Sequence, residues 1–342
     1  MGRNEGTSPA TPCVSIGVPV YNGELYLDET LRSLTAQDFG DFEIIIVDNA
    51  STDGTASIAK SWVNRDPRIR YLVNDSNIGG EPNFNRAFEC ARGRYFRWQA
   101  ADDAVKPDHL HQCLAALEAN PDAVLSQSWV GIIDSEGCEI GIYDGGLRGS
   151  ESKDAVDRFD AVVMSRHLCT HLFGVVRSDA LRATRMLGNY HGGDRALLAE
   201  LALLGRFVLV PAPLFMNREH PRRASRVARG PAIWNLYVDY WRAINRHAHD
   251  PRVGRRCRLH LLWWWLIDWN YARLAVEVLG SIYPPLFGWV NRLKLMIYGP
   301  LPQVRITRPR NQAQVGSVTG SAASVPHAKD GLMRAGAEKI RE

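Results

Sequence analysis

The sequence lacks several features that identify common classes of protein. Its six cysteines include no CxxC pair, which argues against a zinc or thiol redox site and favours a reducing compartment. No GxxxxGK[ST] or GxGxxG motif follows the first predicted strand, which argues against P-loop enzymes and dinucleotide-binding dehydrogenases. The first twelve residues contain no apolar segment of the kind found in signal peptides. We therefore expect a cytoplasmic protein.

Long hydrophobic runs are also missing. The uncharged apolar segments Leu259–Ile267 and Val278–Asn291 are each shorter than the ~20 residues that span a bilayer, and Pro284 and Pro285 interrupt the second. Arginines and aromatic residues alternate in this region, as in segments that attach to a membrane interface. Two interpretations stay open: the region lies on the inner face of a membrane, or it packs against the protein's own core or against a second subunit in a homodimer.

Charge is distributed unevenly along the chain. Residues 1–216 carry 20 Lys or Arg and 29 Asp or Glu, whereas residues 217–342 carry 21 and 8. The basic third is suited to contact phosphate groups or an anionic membrane surface, although a solvated basic face explains it equally well. Nucleic acid is not the expected partner, because the aromatic residues cluster in apolar runs instead of interleaving as a stacking surface.

Short β-like runs alternate with helical segments in the first half of the chain. Phe42–Val47 is almost entirely apolar, which is typical of a strand buried on both faces. The alternation predicts an α/β fold with a mostly parallel, doubly wound sheet flanked by helices. The other predicted strands are Val14–Val18, Ile69–Val73, Tyr95–Trp98 and Ala123–Ser128, and the predicted helices are Leu25–Ala36, Thr55–Trp62, Asn83–Cys90 and Asp108–Ala119.

The pattern is looser after residue 130. Residues 135–149 are rich in turn formers, and Asp194–Leu204 is expected to be an amphipathic helix. Short strands are predicted at Phe173–Val176, Phe207–Val210 and Leu214–Asn217. We expect a main domain at residues 13–230, a helical extension rich in Trp and Arg at residues 231–302, and disordered ends at residues 1–12 and 303–342.

A polar cluster follows each of the first four predicted strands. Ligands of open α/β sheets bind beyond the carboxyl ends of the strands, so the four clusters are expected to share one rim, as a nucleotide site requires. The clusters are Pro19–Gly23, Asp48–Thr55, Asn77–Gly80 and Ala100–Asp103.

Most of these clusters also have a purely structural explanation. Asp53 suits a helix cap, and Asn77 with Gly79 suits a turn. Asp48 is different because it ends a buried strand, where a carboxylate must find hydrogen-bond donors. A nucleobase N–H or a ribose hydroxyl would supply one.

Asp102 and Asp103 are adjacent carboxylates, which repel each other. At a strand end such a pair favours a divalent cation, here Mg²⁺ or Mn²⁺, that bridges to a diphosphate. The alternative is a helix cap near Pro107, which needs only one of the two carboxylates.

A second group of candidate residues lies in the later half. Asp194 begins the predicted helix, where it is either a helix cap or a general base that takes a proton from an acceptor hydroxyl. The segment Arg218–Arg226 is a basic loop that contains His220 and Arg222. Its positive charge is suited to a diphosphate leaving group.

Taken together and in this order, these residues resemble glycosyltransferase family 2, the inverting enzymes with the GT-A fold. The resemblance extends over residues 13–226 and implies a donor half at 13–130 and an acceptor half at 131–230. It is carried by Val14–Asn22, Ile46–Thr55, Asn77–Gly80 and Trp98–Asp103, with Pro107, Asp194 and His220 after them.

The resemblance implies a role for each matching residue. Asp48 would bind the base, Asp102 would approach the ribose and the metal, and Asp103 would be the main metal ligand. Asp194 would be the catalytic base. The implied nucleotide-sugar site consists of Pro19, Tyr21, Asn22, Asp48, Asn77, Gly79, Asp102, His220 and Arg222. Many family members have Asp where this chain has Ala100 and Ala101, which bears on how the ribose is held.

The implied reaction is a single displacement that moves a sugar from a nucleoside-diphosphate sugar to a hydroxyl of a glycan or glycolipid, with inversion at the anomeric carbon. Two alternatives stay open. A nucleotidyltransferase would have a Gly-rich basic loop after its first strand, and Pro19–Gly23 is not basic. A non-catalytic binding protein would have no reason to retain the aspartates. The sequence specifies neither the sugar, the nucleotide nor the acceptor.

Overall fold

The structure, a computed structural model, describes residues 11–165, 167–221 and 233–267. All of them belong to one compact unit. The strands are β1 (Val14–Val20), β2 (Phe42–Asp48), β3 (Ile69–Val73), β4 (Tyr95–Trp98), β5 (Ala104–Val105), β6 (Ala123–Ile133), β7 (Glu139–Tyr143), β8 (Val175–Arg177) and β9 (Arg206–Arg218). The helices are α1 (Leu27–Thr35), α2 (Thr55–Arg65), α3 (Gly80–Glu89), α4 (His109–Glu118), α5 (Ala155–Met164), α6 (Ser178–Ala183), α7 (Gly193–Leu204), α8 (Ile233–His247) and α9 (Pro251–Ile267), with a 3-10 turn at Thr170–Phe173.

The first half forms the parallel, doubly wound part of the sheet that the sequence predicts. Strands β3, β2, β1 and β4 are neighbours in that order and pair in parallel. Every residue of β1 and of β2 is buried, because helices cover both faces of a parallel sheet. The register places Val20 opposite Asp48, so the loops after β1 and β2 leave the sheet side by side.

The second half adds antiparallel pairs. Strand β8 runs antiparallel to both β4 and β6, and β6 is parallel to β9. The turn-rich segment 135–149 contains β7, which pairs with β6 and was not predicted.

Strand β9 is one long strand, so the prediction of two short strands at Phe207–Val210 and Leu214–Asn217 was wrong. Pro211 and Pro213 suggested a break, because proline donates no hydrogen bond to a ladder. Both prolines lie at a β-bulge in β9. There the pairing with β6 skips from Ser128 opposite Val210 to Trp129 opposite Pro213.

Helix α5 was also missed by the sequence analysis. Its side-chain cap is Asp154, whose Oδ1 accepts a 2.8 Å hydrogen bond from the Val156 N–H. Arg158 is buried, and its Nε donates to the carbonyl of Ala202 on α7 at 2.7 Å. A buried arginine and the acidic Asp160 break the apolar periodicity that marks an amphipathic helix.

Helices α8 and α9 lie within the predicted helical extension and pack on the acceptor half. Tyr240 on α8 is fully buried and contacts the rings of Phe159 and Trp264 at centroid distances of 6.0 and 5.4 Å. His247 on α8 pairs with Glu200 on α7, Nε2 to Oε2 at 3.2 Å, with both side chains 5% exposed.

Three of the predicted regions lie wholly or mainly outside the described residues. These are the tail at 303–342, the part of the helical extension beyond residue 267, and all but two residues of the N-terminal segment 1–12. Within residues 11–165, 167–221 and 233–267, no helix has both the length and the apolar character that crossing a membrane requires.

Candidate functional site

The loops after β1 and β2 are joined at the carboxyl edge of the sheet. Asn22 adopts a positive φ of 52°, and its Oδ1 accepts a 2.9 Å hydrogen bond from the Thr52 N–H. The Asn22 N–H donates to Ser51 Oγ at 2.9 Å. Before this turn, Pro19 is buried in β1, whereas the side chain of Tyr21 is 51% exposed. Of these predicted ligands, Tyr21 and Asn22 therefore face solvent, and Pro19 belongs to the sheet.

Asp48 is 1% exposed at the end of β2. Its Oδ1 accepts a hydrogen bond from the Ser51 N–H at 2.8 Å, and its Oδ2 accepts one from the Tyr71 hydroxyl at 2.6 Å. Burial and the neighbouring Asp48 carboxylate raise the pKa of Tyr71. The hydrogen-bond donors to the Asp48 carboxylate are therefore groups of the protein itself. Sequence analysis missed Tyr71, which lies in the middle of β3.

A network of asparagines shapes the loop after β3. The Asn49 side chain donates to Asn77 Oδ1 at 2.9 Å and to the carbonyl of Gly79 at 3.0 Å. Asn74 donates to Asn49 Oδ1 at 2.9 Å and to Asn83 Oδ1 at 2.8 Å. Gly79 has a φ of 95°, a conformation that glycine adopts readily. The network places Asn77 and Gly79 at the rim. The repeated asparagines at positions 49, 74, 77 and 83 are the sequence feature from which such a network could have been predicted.

Asp103 is 3% exposed, so it faces the protein interior. Its Oδ1 accepts a 2.8 Å hydrogen bond from the Arg218 N–H, and its Oδ2 accepts one from Asn217 Nδ2 at 3.1 Å. The Thr30 hydroxyl donates to the Asp103 carbonyl at 2.8 Å. This residue therefore fastens the end of β9 to the loop after β4.

Asp102 faces the other way, with a side chain that is 29% exposed. Its Oδ2 lies 2.8 Å from Nε2 of His220. The ring of Tyr26 lies against the ring of His220 at a centroid distance of 5.0 Å. The structure thus brings together the predicted pair Asp102 and His220, which are 118 positions apart in the sequence.

Arg218 was predicted to be part of a basic loop that contacts a diphosphate, but the structure places it among protein partners. Its side chain is 1% exposed and pairs with Glu29, Nη2 to Oε1 at 2.6 Å. Its Nε donates to the Asp102 carbonyl at 2.9 Å. Arg218 therefore supports the loop that carries Asp102, and its charge is already paired. Residues 222–226 of the predicted basic loop, Arg222 among them, lie outside the described residues.

Asp194 is half-buried in the first turn of α7. Its Oδ1 accepts a 2.7 Å hydrogen bond from the Arg195 N–H. The Cys169 thiol lies beside it, and burial followed by the charge of Asp194 raises the pKa of that thiol. Among the described residues, no hydrogen bond joins Asp194 to Asp48 or Asp102. Asp194 therefore belongs to a different set of hydrogen bonds from Asp48 and Asp102.

Two histidines close to this part of the acceptor half are neutral at physiological pH. Burial lowers the pKa of His171 to about 4. Burial, followed by the charge of Arg195, lowers the pKa of His167 to about 3. Neither ring carries a positive charge at neutral pH, so neither can serve as an acid there.

A divalent metal fits the donor rim only in part. The described residues contain no group of three or more His, Cys, Asp or Glu side chains arranged to hold a metal ion. Asp102 and His220 offer one carboxylate and one imidazole within 2.8 Å of each other. Mg²⁺ commonly uses one or two protein carboxylates and takes its other ligands from substrate phosphates and water. The Asp102 carboxylate fits such an ion, whereas the imidazole of His220 is not a ligand that Mg²⁺ or Mn²⁺ prefers.

Comparisons with known proteins identify relatives of this chain. The family model for glycosyl transferase family 2 matches residues 15–142. An uncharacterized glycosyltransferase of Haemophilus influenzae is 27% identical over 228 residues, which are 63% of this chain and 68% of the relative. An uncharacterized protein of Mycobacterium tuberculosis is 35% identical over 293 residues, which are 80% of this chain and 87% of the relative.

The crystal structure of S. aureus TarS residues 1–349 in complex with UDP-GlcNAc is similar in fold. It aligns with a TM-score of 0.59 over 84% of this chain and 81% of that chain, at 18% identity. The likeness confirms the α/β fold class predicted from the sequence. On the family model, the sequence relatives and the fold, this chain is a member of glycosyltransferase family 2, a glycosyltransferase with the GT-A fold.

Proposed function

We propose that this glycosyltransferase moves a sugar from a nucleoside-diphosphate sugar to an acceptor hydroxyl with inversion at the anomeric carbon. The observation that carries the proposal is the division of the site. On the donor side, the loops after β1, β2 and β3 hold one another by hydrogen bonds. On the acceptor side, the half-buried carboxylate of Asp194 stands separately from them.

We assign the donor nucleotide to the rim at Tyr21, Asn22, Asn77 and Gly79, behind which Pro19 and Asp48 lie buried at the ends of β1 and β2. Asp48 accepts one protein hydrogen bond on each oxygen, and an ionised carboxylate has about four lone-pair sites. Its remaining lone pairs can accept a base N–H only where the base reaches this 1% exposed carboxylate through the rim, so Asp48 stays a predicted base ligand. Because the Asp48 side chain is already fixed, binding the base costs no conformational entropy for ordering it.

The metal assignment changes from Asp103 to Asp102. Asp103 as the main metal ligand stays a prediction, but its burial and its hydrogen bonds from Asn217 and Arg218 favour a structural role. Asp102 is the better carboxylate for Mg²⁺ or Mn²⁺, because its side chain is 29% exposed and such an ion takes further ligands from the diphosphate and water. When bound, the ion would neutralise charge on the departing nucleoside diphosphate. His220 and Arg222 are the residues assigned to the diphosphate beside it.

Asp194 is the proposed catalytic base. It takes the proton from the acceptor hydroxyl as the oxygen forms its bond to the anomeric carbon and the bond to the diphosphate oxygen breaks. The location supports this role, because the carboxylate is held by the Arg195 N–H at the start of α7. The nearby Cys169 thiol stays protonated at neutral pH, since burial raises its pKa, and is not a competing base.

The proposed acceptor is a glycan or glycolipid handled at a membrane surface. One face of α9, called the α9 face, consists of exposed residues at helical spacing. Its arginines come first, followed by apolar side chains that are 49% to 58% exposed. Such a face suits the boundary of an anionic bilayer. The α9 face consists of Arg252, Arg255, Arg256, Leu259, Leu262, Trp263 and Leu266.

A donor screen tests the transferase proposal. The purified chain is mixed with UDP-, GDP- and dTDP-sugars and Mn²⁺ or Mg²⁺, and nucleotide release is measured with and without EDTA. Metal-dependent release from one donor class is the expected result. Release from none of them, with a range of glycan acceptors present, would leave a non-catalytic binding protein as the better description.

Sedimentation with vesicles tests the α9 face. Wild type is expected to bind vesicles that contain phosphatidylglycerol, and a Leu262→Ser/Trp263→Ser variant is expected to lose most of that binding. Ile140→Ser is the matched control, because Ile140 is 45% exposed on β7. Equal binding by wild type and the double variant rules out the α9 face as the contact.

A further inference from the structure

A shallow, solvent-open pocket of about 520 Å³ lies on the surface where α8 meets the segment before α7. It is lined by Arg185, Arg242, Asn245 and Arg246. The last three share one side of α8, because residues three and four apart are neighbours on a helix. The lining is strongly basic and has no carboxylate on its surface. None of the residues assigned to the donor rim takes part in it.

The pocket is built on a single carboxylate. Oδ1 of Asp239 accepts hydrogen bonds from Arg185 Nη1 at 2.5 Å and from Arg242 Nη1 at 3.2 Å. Oδ2 accepts one from the Tyr190 hydroxyl at 2.6 Å. The Asp239 side chain is only 15% exposed, and the backbone N–H of Arg185 donates to Glu200 Oε2 at 3.0 Å. Arg185 is thereby oriented before any ligand arrives, whereas the more exposed Arg242 has a single 3.2 Å contact.

Positive charge in the pocket exceeds negative charge. Asp239 is the partner of both Arg185 and Arg242, and Arg246 has no ion pair within the described residues. Asn245 Oδ1 is taken by Arg258 Nη2 at 2.8 Å, which leaves the Asn245 amide N–H groups as donors. Each guanidinium has five N–H donors in a planar fork that matches phosphate oxygens. The unused donors and the excess charge suit a phosphate group.

The position of the pocket connects it to the proposed site. The segment that carries Arg185 and Tyr190 continues into α7 and Asp194. Its Asn189 lies near the donor rim, since a Cβ on Gly79 would be 3.8 Å from Asn189 Oδ1. One short stretch of chain thus touches the donor rim, the pocket and the start of α7.

We propose that this arginine pocket binds a phosphate or diphosphate group other than that of the sugar donor. On the proposed function, the group is the phosphate of a lipid-linked acceptor, or the phosphate of an anionic lipid beside it. Both sources present the same chemistry to the arginines.

The test is a calorimetric titration of the full chain with inorganic pyrophosphate, with EDTA present so that a metal-dependent donor site does not contribute. Arg246→Ala is expected to weaken binding about tenfold, and Arg242→Ala/Arg246→Ala about a hundredfold. Arg65→Ala is the matched control, because Arg65 is exposed at the end of α2, outside both the pocket and the α9 face. Unchanged affinity in the double variant, or an equal loss in the control, overturns the proposal.

Vesicles then distinguish the two sources. If the double variant loses binding to phosphatidylglycerol vesicles as well as to pyrophosphate, the lipid headgroup supplies the phosphate. If it loses pyrophosphate alone, the acceptor supplies it. The wild-type donor screen tests the transferase proposal separately. Intact pyrophosphate binding with a negative screen would remove the acceptor assignment and leave the anion site.

Discussion

The proposed donor half (residues 13–130) and the proposed acceptor half (residues 131–230, on which α8 and α9 pack) hold their polar residues in different ways. In the donor half, Asp48, Asn49 and Asn74 bond mainly to loops that follow adjacent parallel strands. On the other side, the partners come from elements that are far apart in the sequence: Glu200 on α7 bonds to His247 on α8, and Asp239 on α8 pairs with Arg185 before α7. The donor rim is therefore preformed by the sheet, whereas the acceptor side depends on how the last helices dock.

The largest expected effect concerns the carboxylate that stands outside the donor network. Asp194→Asn removes the proposed base without changing its shape, so the rate of transfer should fall about 10²- to 10⁴-fold. Donor affinity, measured by calorimetry, should stay as in wild type, because no described hydrogen bond joins Asp194 to Asp48 or Asp102. Asp179→Asn is the control, since the Asp179 side chain is 95% exposed on α6. A normal transfer rate in Asp194→Asn means that another residue is the base.

The pH dependence of the free energy of unfolding tests whether burial keeps the histidines of the acceptor half neutral. Burial lowers the pKa of His171 from 6.5 to about 4 in the folded state. Below pH 6.5 the unfolded chain therefore takes up this proton and the folded chain does not. This residue should lower the free energy of unfolding by about 3 kcal/mol between pH 6.5 and pH 4.

His171→Gln should remove the contribution of His171 to the pH dependence of the free energy of unfolding, measured in urea. His167 and His109 contribute in the same direction, since their pKa values are lowered too, so the slope should decrease without vanishing. The exposed His249 provides the control, His249→Gln. An unchanged slope in His171→Gln shows that this ring is protonated in the folded protein.

The two adjacent aspartates after β4 give the next effect. Asp103→Asn puts an amide where the Asn217 side chain and the Arg218 N–H both donate, and should lower the free energy of unfolding by about 2–3 kcal/mol. Asp102→Asn should lower it by less than about 1 kcal/mol, because that side chain is 29% exposed.

The same two variants should rank in the reverse order when nucleotide release is measured instead of stability. Asp102→Asn is expected to abolish metal-dependent release, whereas Asp103→Asn should retain it at temperatures where the protein stays folded. Equal losses of stability in urea would contradict the division of the pair into a buried and an exposed carboxylate.

The sequence predicted the donor half well because its signals are local. Strands Ile69–Val73 and Tyr95–Trp98 have the predicted bounds, since apolar runs in parallel strands end where polar loops begin. The order of the rim clusters follows from parallel topology. What the sequence could not indicate is which side of the rim each carboxylate faces. The directions of Asp102 and Asp103 depend on β9, more than a hundred residues later.

The acceptor half was predicted less well for a physical reason. Helix α5 turns Arg158 and Asp160 toward the rest of the protein, where Arg158 bonds to α7 and Asp160 to His260 on α9. Those partners are 44 and 100 positions away. Polar residues at buried positions look like solvent-facing ones until their partners are known.

The smallest expected effect tests whether the donor rim is as fixed as its hydrogen bonds suggest. Tyr71→Phe removes the hydroxyl that donates to Asp48 Oδ2 at 2.6 Å and leaves the Ser51 N–H on the other oxygen. The free energy of unfolding in urea should fall by about 1 kcal/mol. Tyr237→Phe is the control, because the Tyr237 hydroxyl has no hydrogen bond among the described residues. Donor affinity should change less than stability, since Ser51 still orients the carboxylate. A large loss of donor affinity with normal stability would mean that Tyr71 sets the position of Asp48, so that the rim is held by single side chains instead of by the sheet.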